Sequence, residues 1–83
     1  MDAPRRHAGP VLREMRRHRR LSQLELSLRV GVSQRHLSCL ETGRAAPSRA
    51  MLHALLDALE APLPERNRAL LAAAREPAAA PSA

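Results

Sequence analysis

Eighty-three residues with a formal charge of +6 and no Phe, Tyr or Trp can build one small core at most, drawn from Leu, Val, Met and Ala. Every basic residue is Arg, and the surplus favours a polyanionic partner, either nucleic acid or an anionic membrane surface. The single Cys, Cys39, excludes an internal disulfide or a thiolate metal cluster, and no apolar run approaches the roughly 18 residues of a transmembrane helix.

Residues 1–9, with Pro4, Arg5 and Arg6, show no periodicity and read as a flexible basic arm. Residues 1–20 hold seven Arg against Asp2 and Glu14, which places +5 of the net charge there. A first helix is predicted from Pro10, favoured in a first turn, to Arg20, with Val11, Leu12 and Met15 inward and Arg13, Arg17 and Arg20 on the opposite side. "SQLE" then has the form of a capping box, so Ser22 and Glu25 open a second helix that buries Leu26 and Val30 and ends at Gly31. Ser33 caps a third helix over 34–41, stopped by Gly43. Pro47 and Ser48 precede a fourth over 49–60, with Leu52, Leu55, Leu56 and Leu59 at helical spacing. Pro64 opens a fifth, to Arg75, with Leu70, Leu71 and Ala74 as its core face. Residues 76–83, "EPAAAPSA", read as a flexible tail or the start of a linker. No stretch alternates as a strand does, so the predicted fold is all-α with five helices, spanning 10–75.

The third helix is the informative one. At 100° per residue, Leu37, Leu40 and Glu41 gather on one side, while Gln34, Arg35, Ser38 and Cys39 span about 0 to 140°. The polar face carries no acid, and Gln and Arg are the side chains whose paired hydrogen-bonding groups match adenine and guanine edges in the major groove. "LSQLELSLRVGVSQRHLSCLETGRAAPSRAMLHALLDALEAP", residues 21–62, resembles the helix-turn-helix domain of the phage repressor and Cro family, also called the xenobiotic-response-element family of bacterial regulators. The matching elements are Ser22-Gln23, Gly31-Val32-Ser33, Leu37-Ser38, Leu40-Glu41, Gly43 and Pro47. Within that family "RVGVSQRHLS", "ETGRAAPSR" and "LPERNRALLAAA" look most like MmyB-like regulators, in which this domain precedes a separate ligand-binding domain.

The resemblance implies a transcriptional regulator, a repressor, of double-stranded DNA; the single Cys and the lack of a long apolar run predict a cytoplasmic protein, nucleoid-associated when bound, and one recognition helix reads only a few base pairs, so a homodimer on a palindromic site is expected. On the resemblance, Gln34, Arg35, Ser38 and Cys39 read bases, while Ser22, Gln23, Thr42, Arg44, Arg49, Arg5 and Arg6 hold phosphates. It also implies a buried pair of Arg16 with Glu41, and the fifth helix, through Leu70, Leu71 and Ala74, is the candidate dimer surface. Two features depart from the family. Cys39 stands where a larger polar residue is usual, and Leu24 with Leu28 makes an apolar pair at positions usually polar, read here as packing on the arm.

Other chemistries find little support. His7, His18, His36 and His53 have no acid or Cys at ligand spacing, so no metal or cofactor is expected. No nucleophile motif or phosphate loop points to an enzyme. A redox role for Cys39 is the lesser reading beside a tolerated small side chain. Two other functions use the same features: an antitoxin that binds a toxin and its own operator, and a protein-binding or membrane-surface adaptor that uses the arm with Leu24 and Leu28.

Overall fold

The computed structural model describes residues 8–74; the arm residues 1–7, with Arg5, Arg6 and His7, and the tail from 75 onward lie outside the described residues. Five helices follow in order: α1 (Ala8–His18), α2 (Gln23–Val30), α3 (Gln34–Thr42), α4 (Arg49–Ala58) and α5 (Leu63–Ala74). No strand occurs among the described residues. The all-α reading therefore holds.

Local chemistry sets the boundaries. Ser22, Ser33 and Ser48 each take extended backbone and accept an N–H from the residue three positions on, which starts α2, α3 and α4. Ser22 and Glu25 complete the reciprocal capping box. Gly31 (φ 86°) and Gly43 (φ 85°) close α2 and α3 in the left-handed conformation, the second drawing the N–H groups of Arg44 and Ala45 onto the Cys39 carbonyl.

Several boundaries differ from the sequence reading. α1 starts at Ala8 rather than Pro10, because Ala8 and Gly9 are buried and Pro10 still falls in the first turn, where its missing donor costs nothing. It stops at His18 rather than Arg20, since Arg20 is left-handed (φ 57°) and Leu21 N–H bonds back to Arg16 O. α4 likewise stops at Ala58 rather than at 60, since Glu60 is left-handed (φ 53°) and Ala61 N–H bonds back to Leu56 O. Neither site holds a glycine, so each turn carries about 1–2 kcal/mol of backbone strain. Arg19 joins them: its Nε donates to Leu59 O at 2.8 Å and its Nη2 to Glu60 Oε1 at 3.0 Å, placing a cation on the carbonyl end of α4.

The core is aliphatic: Leu12, Met15, Leu26, Leu37, Leu40, Leu52, Leu55, Leu56 and Leu59, joined by Ala8 and Ala69. α1 packs on α3 and α5, and α2 packs on α3 and α4. Ser27 is buried on α2 and satisfies its hydroxyl on Leu24 O at 2.8 Å. The expected core face of α5 needs correction. Ala69 is its buried residue, with Leu70 and Ala73 packed against the core, whereas Leu71 is 58% exposed and Ala74 is exposed. Leu71 stands roughly 200° round the helix from Ala69 and cannot share its face. Leu24 and Leu28 are exposed among the described residues at 50% and 72%.

A Cβ at Gly31 would meet nothing within 4 Å, so an alanine there has space and only the left-handed backbone opposes it. Gly31→Ala is expected to lower stability by about 1–2 kcal/mol in urea denaturation, with Gly31→Asn costing less.

Candidate nucleic-acid interface

The side of α3 that faces inward is fixed by charge as well as by leucine. Leu37, Leu40 and Glu41 are buried. Arg16 of α1 grips Glu41 through Nε to Oε2 at 2.6 Å and Nη2 to Oε1 at 3.0 Å, while its Nη1 donates to Leu21 O at 2.8 Å. Gln23 Nε2 of α2 donates to the same Oε1 at 3.0 Å. The side chains are 11% (Arg16) and 1% (Glu41) exposed, so the pair is nearly dry, and two-pronged geometry with a third donor fills the carboxylate. No buried side-chain polar atom lacks a partner among the described residues.

The opposite side of α3 is open. Gln34, Arg35 and His36 are exposed, and Ser38 and Cys39 are half-buried along the border. The side chains of Gln34 and Arg35 make no hydrogen bond or ion pair with other described residues. Arg44 is exposed just beyond the Gly43 turn, held by its own N–H on Cys39 O at 2.9 Å. The Thr42 hydroxyl donates to Ser38 O at 3.0 Å, so a contact from it to an anion requires that proton to leave the helix.

The residues named as phosphate holders do not all meet. Ser22, Gln23 and Thr42, with Ser38, share an open hollow above the Arg16–Glu41 pair, and its remaining wall is Arg13 of α1. Arg49 instead lines a second groove with Leu52, Leu70, Ala73 and Ala74, between α4 and α5. Leu70 and Ala74 thus face that groove, and Leu71 lies outside it. Arg5 and Arg6 lie outside the described residues. Two features escaped the sequence reading: Gln23 is tied to Glu41 as well as standing at the start of α2, and Arg13 belongs to the hollow. Its position one turn before Arg16 on the same helix was the signal for the latter.

Charges divide by side. Arg19, Arg66 and Arg68 pair with Glu60, Asp57 and Glu14, where α5 and the end of α4 meet α1. Arg13, Arg17, Arg35, Arg44 and Arg49 have no acidic partner among the described residues. The acids of these three pairs lie away from the outer face of α3, whose own acid, Glu41, is buried. No cluster of three potential metal ligands occurs among the described residues, and no helix there is long and apolar enough to cross a membrane.

With a capped two-helix unit turning at Gly31 and a basic, acid-free outer face on its second helix, the family match is decisive: the model of the helix-turn-helix domain covers residues 7–76. The chain belongs to the helix-turn-helix domain family. Comparison with curated proteins returned no match. Helix-turn-helix domains serve DNA-binding regulators, whose two-helix unit corresponds here to α2 and α3.

Two tests address how this helix-turn-helix domain is held. Arg16→Ala strands the Glu41 carboxylate and is expected to cost roughly 3–5 kcal/mol, while Arg16→Met with Glu41→Leu recovers most of the loss, both read by thermal unfolding. The second concerns Glu25, whose carboxyl is held below its ordinary range first by the Ser22 backbone N–H, then by the Ser22 hydroxyl and the nearby Arg29, against a small opposing effect of burial. A lowered folded-state value means its stabilisation is complete above the unfolded value and lost as pH falls through the folded one. Glu25→Gln should therefore flatten the acid limb of stability against pH.

Proposed function

We propose that this helix-turn-helix domain binds specific sequences in double-stranded DNA as a transcriptional repressor, with α3 in the major groove. The carrying observation is the division of α3: its one acid is buried against Arg16, and its outer rim offers Gln34 and Arg35 unpaired. A solvated surface helix mixes signs, whereas a reader of base edges needs donors free of competing carboxylates. Gln34 and Arg35 select bases, with Ser38 and Cys39 as the shallow edge of the contact. Ser22, Gln23, Thr42, Arg44 and Arg49 attend the backbone, Arg49 from the start of α4. The likeness to the phage repressor and Cro family supports repression and binding as a homodimer on a palindrome, with Leu70, Leu71 and Ala74 of α5 toward the partner copy. One recognition helix spans only a few base pairs, and a second copy doubles the readout.

Selection of duplexes from a random pool tests this directly. Enrichment of an inverted repeat is the expected result; recovery of no preferred sequence would sink the reading. On the selected duplex, Gln34→Ala and Arg35→Ala should each cost roughly 1–3 kcal/mol and relax preference at particular base pairs. Equal loss on every sequence would remove both residues from base reading.

A further inference from the structure

We propose that Arg13 of α1 is the cation of a phosphodiester seat formed with Ser22 and Gln23 at the start of α2 and Ser38 and Thr42 on α3. The inference rests on the DNA-binding reading and adds to it a residue from outside the two-helix unit. Three helices contribute to the hollow, and Arg16 and Glu41 form its floor. That floor is electrically closed: Arg16 spends its charge on Glu41, and Gln23 turns its amide N–H to the same carboxylate. Among the described residues, Arg13 is the only other charged residue lining the hollow.

Among the described residues no acid pairs with that charge. Glu14, beside it in sequence, reaches Arg68 of α5 at 3.1 Å, and Glu41 is occupied. Arg17, one turn further along α1, lines a neighbouring hollow with Arg13, Pro10, Glu14 and Glu41, and the two acids there are the ones already paired with Arg68 and Arg16. Arg13 is exposed, makes no ion pair among the described residues, and sits on a rigid helix whose place is fixed by Arg16 three positions on. Ser22, whose oxygen accepts the Glu25 N–H, closes the α2 side of the hollow. A guanidinium with hydroxyl and amide groups around an open hollow suits a singly charged tetrahedral anion of the nucleic-acid backbone. Base edges are the concern of Gln34 and Arg35, which lie outside it.

The test is a salt titration of full-length protein on a mixed-sequence duplex of about two helical turns, read by fluorescence anisotropy. Arg13→Ala is expected to reduce the slope of log affinity against log salt by about 0.9 and to weaken all sequences by the same factor, with Arg13→Lys keeping the slope. Arg66→Ala, which removes a charge from the paired side, controls for the general field and should change the slope less. In duplexes with one phosphate at a time replaced by a neutral methylphosphonate, the parent protein should lose affinity at a position where Arg13→Ala loses nothing further. If the parent binds but Arg13→Ala matches it in slope, or if no replaced phosphate shows that coupling, the seat does not exist and the DNA-binding reading stands. If the parent binds no duplex at all, the reading beneath the proposal falls with it. A melting temperature of Arg13→Ala equal to the parent's is expected from its exposure, and Arg13→Gln, which also removes the charge, carries the comparison should that variant unfold.

Discussion

One carboxylate, Glu41, organises the geometry of this domain. It draws Arg16 from α1 and Gln23 from α2 onto the inner edge of α3, and Arg16 holds the carbonyl of Leu21 with its remaining arm. Leucine packing is forgiving of small rotations, because aliphatic contacts have no preferred direction. A two-pronged guanidinium–carboxylate bond is directional and nearly dry here, so it sets the rotation of α3 about its axis. That rotation decides which side chains face outward. Replacement of the pair by apolar residues is expected to preserve stability better than removal of one partner, which points to orientation as its main contribution.

The legible parts of the structure were those where local chemistry is unambiguous. Serine caps, the capping box and the two glycine turns are chain-local signals, and they located the starts of α2, α3 and α4 and the ends of α2 and α3. The ends of α1 and α4 were not legible, because Arg20 and Glu60 take a conformation their side chains disfavour and the second turn is fastened to Arg19, beside the first, across about forty residues. The face of α5 was misread for a different reason. In a helix rich in Ala and Leu many arcs look apolar, and the buried position went to Ala69, whose small side chain carries the weakest signal.

At the candidate site, the helix and its outward rim followed from periodicity, but the grouping of residues did not. Ser22, Gln23 and Thr42 share a hollow, while Arg49 belongs to the α4–α5 groove. Gln23 shows why: a side chain that reads in sequence as a surface donor is half-buried and serves the Glu41 carboxylate. Side-chain partnerships across three helices depend on crossing geometry, which residue spacing along one helix does not contain.

Apart from the buried Arg16–Glu41 pair, the ion pairs among the described residues gather around α5 and the end of α4, which makes the surface field lopsided. With Arg19, Arg66 and Arg68 neutralised around α5 and Arg13, Arg35 and Arg44 left bare around α3, the centre of positive charge is displaced from the centre of mass. A rod-like polyanion then exerts a torque on the approaching domain from about a Debye length away, before any side chain touches it.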